Sequence, residues 1–340
     1  MELKTGRAPF YRYNDTVRST MRNMLIVLIA LLVMPVVHYG WRPVVTATIC
    51  VLTCLVSSIL YYLTAHKEIL IADGAFAVTG MIIALMLPVN VSWYVAIIAS
   101  AFAMLVAKLP FGGTGNSPFN PAAAGLAFVT ISFPSEVFQY FDISSGEKLP
   151  PFAGILEVPL TASPTALLKT GARPTNVLRD MLTGGFVGPV GTTAVLVLVA
   201  CACFLLLRRM AHWEPMVFFL LGGALYSLLF PRVSGLDGIL YEVLSGSFLF
   251  VAIFLTSEPG TTPRQPIGRA IYGFLGGVIT LLYRNFGAYE QGGCFAILII
   301  NALSPTIDRW VWKYTQTDRP KRVPRKKKKA QRTETTAKEE

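Results

Sequence analysis

The chain has 340 residues, of which 53% are hydrophobic and 14% charged, with a formal net charge of +11. An ordinary soluble domain carries roughly 25% charged residues, so most of this chain must sit in lipid, and a soluble globular enzyme is excluded. The basic excess comes without an aromatic or glycine-rich RNA-binding module, so no nucleic-acid partner is expected.

In chain order, residues 1–23 come first and carry Lys4, Arg7, Arg12, Arg18 and Arg22. They read as a cytoplasmic amino-terminal segment under the positive-inside rule. Charge-free runs follow from Asn23 to Trp41, Pro43 to Ala65, Gly74 to Ala107 and Leu109 to Ser135. Each approaches or exceeds the ~20 residues that a spanning helix needs. No small-residue cleavage pattern follows the first run, so no secretory signal peptide is expected. Leu87-Pro88-Val89-Asn90 cuts the third run, and the breakers from Gly112 to Pro118 open the fourth. Residues 24–133 therefore read as five segments, a first transmembrane repeat.

A polar connection over residues 134–179 comes next, with Glu136, Asp142, Glu147 and Glu157. Beyond it, residues 180–308 offer a second repeat of five segments: Pro189 to Leu207, Pro215 to Phe230, Val243 to Thr256, Ala270 to Tyr283 and Gly292 to Ile307. Several are short for a full span and read as tilted or broken. The tail, 309–340, carries Arg309, Lys313 and the run Arg325 to Lys329. It reads as disordered, cytoplasmic and held near anionic lipid. With both termini cytoplasmic the span count is even. The expected fold is an all-α polytopic membrane protein of about ten transmembrane segments, with the 134–179 loop external.

The halves resemble each other weakly. Gly74-Ala-Phe precedes Pro88 much as Gly246-Ser-Phe precedes Pro259, and Leu109-Pro-Phe-Gly112 echoes Arg284-Asn-Phe-Gly287. Two repeats of five spans must lie inverted in the membrane, an arrangement that builds a site near the midplane from broken helices.

Candidate ligand groups concentrate in the breakers. Gly112, Gly113 and Gly115 let backbone N–H groups approach an anionic or carbonyl-rich ligand, and Asn116, Ser117 and Asn120 add polar groups beyond what a turn requires. A plain structural turn is the alternative. Among the acidic residues near segment ends, Glu258 beside Pro259 is the best candidate to line a cavity. His38, His66 and His212 are isolated. Cys50, Cys54, Cys201, Cys203 and Cys294 have no iron–sulfur or zinc spacing, so no metal site is expected.

The block Phe111-Gly-Gly-Thr-Gly-Asn-Ser-Pro-Phe-Asn-Pro121, continuing Ala122-Ala-Ala-Gly125, resembles one in the RnfD and NqrB subunits of ion-translocating electron-transport complexes. Further resembling blocks are Asp73-Gly74, Pro174 to Asp180 leading into Gly188-Pro-Val-Gly191, Ser257 to Pro263, and Arg284 to Tyr289 followed by Phe295 to Pro305 and Asp308-Arg309. The resemblance runs from about Pro9 to Arg309. It implies a subunit of a bacterial cytoplasmic-membrane translocase, inactive alone, that passes electrons of the ferredoxin/NAD type and couples them to Na⁺ or H⁺ movement.

It also implies FMN held covalently by a phosphoester bond that a separate flavin transferase makes. The resemblance extends to a riboflavin or other second flavin, and to other Rnf-type membrane and flavoprotein subunits as partners. In the segment Glu157-Val-Pro-Leu-Thr-Ala-Ser163-Pro-Thr165, the ungapped match puts Ser163 at the acceptor position and Glu157 at the acidic one. A shift of two residues makes Thr165 the acceptor instead. Glu157, Leu160 and Thr161 depart from the family's pattern, and so does Thr192, which stands where the family usually has a glutamate. The alternatives are an inverted-repeat transporter or channel without a redox cofactor, and a non-catalytic scaffold subunit.

Overall fold

The computed structural model describes residues 16–66, 73–141, 150, 160–174, 178–233, 236–258 and 260–317. Glu157, Pro259 and residues 318–340, each of which carries an expectation from the sequence, lie outside them. Among the described residues the fold is helical, apart from one isolated antiparallel bridge between Phe141 and Leu160.

The first half opens with α1 (Val17–Tyr39), where the Thr16 hydroxyl caps the Ser19 N–H, and α2 (Arg42–Thr64). Helix α3 (Ala75–Met86) stops where Leu87 turns extended, as a residue before proline must. Helix α4 (Trp93–Phe102) continues as a π-helical turn through Ala103–Lys108. After the glycine-rich loop come α5 (Pro121–Ser132) and α6 (Pro134–Val137).

The connection holds α7 (Pro164–Lys169) and α8 (Leu178–Thr183). The second half comprises α9 (Val195–Leu207), α10 (Trp213–Leu229), α11 (Leu236–Leu244), α12 (Phe248–Phe250, extended as a π-helix to Leu255), α13 (Pro266–Phe286) and α14 (Gly293–Thr317).

Helices α1, α2, α13 and α14 are each long and apolar enough to cross a membrane, and α11 with α12, bent by 62°, make a fifth candidate. Helix α3, α4 with its π turn, α5, α9 and α10 are apolar but shorter. A helix rises only ~1.5 Å per residue, so length and composition by themselves account for four or five of the expected ten crossings. Boundaries also differ from expectation, and α9 begins at Val195 rather than Pro189. Helix α13 begins at Pro266, not Ala270, and α14 runs through Pro305 to Thr317, so the segment from Arg309 starts as helix and not as a disordered tail.

Hydrogen bonds between elements define two ends. At one, Arg42 Nε donates to the Val89 carbonyl (3.0 Å), the Ser92 N–H donates to Glu136 (3.3 Å), and Thr161 N–H donates to the Tyr140 carbonyl (3.2 Å). At the other, Lys108 reaches back to the start of α3, and the Asn120 side chain donates to the Leu255 carbonyl (3.2 Å). Small residues let the backbones between these ends pack closely, as in membrane helix pairs. A side chain at Gly273 or Gly277 of α13 would strike the Pro215 or Phe219 carbonyl of α10, and one at Gly125 of α5 would strike the Ala99 carbonyl of α4.

Candidate functional site

Ser163-Pro164 starts α7 in the usual manner, a hydroxyl at the N-cap followed by proline at the first helical position. The Ser163 Oγ accepts from the Ala166 N–H (3.0 Å) and donates to Glu290 Oε2 (2.7 Å), and it lies 2.7 Å from the Thr165 Oγ1. A hydroxyl has one proton and two lone pairs, so with the proton given to Glu290, the Thr165 hydroxyl is the second donor and Ser163 is saturated. Ser163 is 2% exposed and Thr165 fully buried. The two residues considered as alternatives are thus neighbours in one hydrogen-bonded unit.

Charged groups surround this pair. Arg284 Nη1 donates to the Glu242 carboxylate (3.0 Å) and carbonyl (2.7 Å), and its Nη2 donates to the Ser245 carbonyl (3.2 Å). Arg232 pairs with the other Glu242 oxygen at 3.6 Å. Lys169, at the end of α7, donates 2.7 Å bonds to the carbonyls of Gly287 and Ala288. Two arginines and one lysine thus face the carboxylates of Glu242 and Glu290, an excess of one positive charge if both are ionised.

Glu290 Oε1 and Arg284 Nε are buried without a hydrogen-bond partner among the described residues, the pattern expected where a further polar group binds. Burial pushes the Glu290 carboxyl above the ordinary carboxylate range, against its hydrogen bonds from Ser163 and Tyr140 and the charges of Arg284 and Lys169. Burial also raises the Tyr140 phenol beside it, as does the Glu290 charge.

Next to Glu290, an open cavity of about 280 Å³ is lined by Ile131, Tyr283, Tyr289, Gln291 and Phe295 with the small residues of the 287–292 loop. Four aromatic rings run in sequence here. Phe138, Tyr289, Phe295 and Tyr283 stack at centroid separations of 5.8–5.9 Å, with interplanar angles of 16–26°.

The opposite end holds the glycine-rich loop. Lys108, only 4% exposed, donates to the Ala75 carbonyl (2.9 Å) and Thr79 Oγ1 (3.1 Å). Asp73 accepts from the Ala75 N–H (3.2 Å) and from the Thr114 hydroxyl (2.6 Å). A cavity of about 300 Å³ is lined by Tyr62, Asp73, Lys108, Gly112, Gly113 and Thr114, and a smaller one of about 40 Å³ by Lys108, Asn120 and Glu258 among others. Both cavities share Lys108, Ala75 and Thr114.

The expected ligand-lining residues therefore divide. Gly112, Gly113, Asn120 and Glu258 line these cavities, whereas Gly115 and Asn116 line neither. Gly115 instead backs against Gly260 of the Ser257–Pro263 block, and Asn116 fills the space beside Gly112. Asn120 commits its side chain to capping Ala123 and to the Leu255 carbonyl, a structural role at a cavity wall. Thr192 is fully buried, and its hydroxyl is engaged by the Pro189 carbonyl (3.1 Å).

Nothing local in the sequence singles out Glu290. It lies 127 residues from Ser163, and only its place beside a block resembling the family's marks it. Lys108, which no motif in the sequence singles out, is shared by both cavities.

A family model described as NQR2, RnfD, RnfE family matches residues 4–316. The D-type subunit of a Na(+)-translocating ferredoxin:NAD(+) oxidoreductase complex from Acetobacterium woodii is 29% identical over 91% of this chain and 94% of its own. The D-type subunits of two complexes named ion-translocating oxidoreductase are also similar. That of Klebsiella pneumoniae is 29% identical over 87% of this chain and 94% of its own, and that of Pseudomonas aeruginosa is 33% identical over 71% and 74%.

Proposed function

Because the chain belongs to the NQR2, RnfD, RnfE family, we propose that it is the D-type membrane subunit of an ion-translocating oxidoreductase complex and carries FMN on Ser163. The observation that carries the flavin reading is the Ser163 cluster. It combines a hydroxyl, three cations set against two carboxylates, two orphaned polar atoms and an adjoining aromatic cavity. These residues fit the group in chemistry. When bound, a flavin supplies the ability to accept and release electrons singly or in pairs.

The protein's residues do the rest. Lys169, Arg232 and Arg284 provide the positive field for the phosphate, and α7 fixes the attachment point against the 287–292 loop. Esterification removes the proton that Ser163 gives to Glu290. The Glu290 carboxyl then faces a new negative charge, which favours its protonated form. A transferase reaches the buried Oγ only when the start of α7 lifts off Glu290, so attachment precedes closure of this contact.

At the opposite end, the cavity of about 300 Å³ lies at the lower edge of the ~300–1,000 Å³ typical of small-molecule pockets. We assign it to a second, non-covalent flavin, with Asp73, Lys108, Gly112, Gly113 and Thr114 as its wall. Coupling to the movement of Na⁺ or H⁺ is supported by the names of the relatives, Na(+)-translocating for that of A. woodii and ion-translocating for the others, and by the ionisable pair Lys108 and Glu258 on one small cavity. Ten crossings in two inverted repeats, with both termini cytoplasmic and Ser163 outside, remain the best arrangement. The five shorter apolar helices supply the additional crossings if the bilayer thins around them. Donor and acceptor bind other subunits of the complex.

The test is in-gel flavin fluorescence of the denatured chain after co-expression with its transferase. Wild type and Thr165→Ala fluoresce and Ser163→Ala does not. A dark wild type would falsify covalent attachment and favour the transporter without a redox cofactor, a reading that the burial of Ser163 supports. Loss only in Thr165→Ala would move the attachment point to Thr165.

A further inference from the structure

We propose that the isoalloxazine ring of a flavin borne on Ser163 lies in the cavity beside α5 and the 287–292 loop, stacked on the Tyr289 and Phe295 rings. The inference rests on the flavin reading above and deepens it by naming where the redox-active ring sits.

Three independent features point to this place. Attachment point and cavity are fastened together. Ser163 bonds Glu290, whose chain neighbours Tyr289 and Gln291 line the cavity. Lys169, at the far end of α7, grips the carbonyls of Gly287 and Ala288, which also line it.

The wall has the right character. Nearly parallel aromatic faces at 16–26° form a platform for a flat ring, and offset stacking at this spacing is the preferred geometry of aromatic pairs. A flexible acyl chain has no need of parallel rings. The third feature is the edge chemistry. The Gln291 side chain, held by its 2.8 Å bond to the Tyr140 hydroxyl, brings an amide to the rim, where it can meet the carbonyl and imide groups of a flavin.

The experiment uses the full-length chain with its flavin attached, purified from co-expression with the transferase. Two readings are taken on each sample: in-gel fluorescence after denaturation, which reports attachment, and native emission relative to the same sample unfolded, which reports stacking. Tyrosine stacked on a flavin quenches it. Wild type is therefore strongly quenched when native, Tyr289→Leu raises native emission several-fold at unchanged in-gel signal, Phe295→Leu raises it less because phenylalanine holds the tyrosine ring but does not itself quench, and Tyr289→Trp keeps the quenching.

Phe102→Leu, which disturbs a remote stacked pair with Phe128, leaves both readings unchanged. Equal native emission in wild type and both leucine variants, with flavin attached, overturns the ring assignment and leaves the attachment reading intact. A wild type dark in the gel overturns both. If a leucine variant fails to fold or to accept flavin, Tyr289→Trp decides. Quenching that is retained in it supports the stack, and native emission equal to its unfolded value refutes it.

Discussion

Two glycine-started helices, one at each end of the molecule, solve the same problem with different cations. Gly74 opens α3 at φ +70°, and Gly246 stands just before α12 at φ +62°. Each helix breaks near a proline after about a dozen residues, and each start is held by a buried cation from the end of a later helix. Lys108 serves α3 and Arg284 serves the turn before α12. This is the pairing that the weak sequence repeat suggests, set at opposite ends of the fold.

The difference lies in what the cations hold. Arg284 forks over a carboxylate and two carbonyls. Lys108 bonds only a carbonyl and a hydroxyl, on the wall of two cavities. At one end the cation is locked to an opposite charge near Ser163, while at the other it borders open space.

Arg284→Met should have the largest effect on the fixed end. It strands the buried Glu242 carboxylate with only the longer Arg232 contact, and removing one partner of a buried pair costs about 3–5 kcal/mol. Thermal unfolding in detergent should show this as a marked drop in midpoint. A drop as small as that of an exposed-pair variant would mean that Arg232 suffices.

The two glycines differ by a smaller amount. Gly74→Ala meets nothing within 4 Å and bears only the strain of its left-handed backbone, about 1–2 kcal/mol. Gly246→Ala bears the same strain and also drives its Cβ to 2.6 Å from Thr165 Cγ2, adding about 1–3 kcal/mol of overpacking. Because the contact is with Thr165, Gly246→Ala should also lower the yield of flavin on Ser163, whereas Gly74→Ala should not.

A pH titration separates the ends further. The Glu290 carboxyl is raised in the folded state, mainly by burial, so the folded chain holds a proton that the unfolded chain has lost. The sign follows directly: stability falls as pH rises from the ordinary glutamate range, about 4.3, towards the raised folded value. Glu290→Gln removes this contribution, and its unfolding midpoint should fall less than wild type over that window. Equal slopes would mean that Glu290 titrates normally and that the Ser163 contact is not desolvated.

Much of the helical layout is legible in the sequence because it depends on local facts. Charge-free runs give apolar helices, Pro88 ends α3, and the glycines from 112 to 115 cannot continue a helix. Two local signals still mislead. The apolar run puts the last segment's end at Ile307, yet α14 absorbs the N–H missing at Pro305 and continues to Thr317. Ser163 reads as an accessible loop hydroxyl, although Ser-Pro followed by Thr-Ala-Leu-Leu-Lys is itself the pattern of a capped helix that buries its cap. Partnership is what no local pattern carries. The Ser163 bond to Glu290, the grip of Lys169 on the 287–292 loop, and the stacking of Phe138 on Tyr289 join residues more than a hundred positions apart. Only the closed fold brings them together.

The smallest expected change in stability is Lys108→Met. Methionine keeps the volume and needs no desolvated charge. The groups left behind are not stranded: Thr79 retains its own 2.9 Å bond to the Ala75 carbonyl, and Asp73 retains the Ala75 N–H and Thr114. Exchanging a buried charge for a well-packed apolar group is often near neutral, so the midpoint should move by about 1 kcal/mol or less, well below Arg284→Met. Its effect should appear instead in the assembled complex, as loss of the dependence of electron transfer on Na⁺ or on pH. A large fall in stability with ion dependence intact would make Lys108 a structural clamp like Arg284, and the contrast between the two ends would disappear.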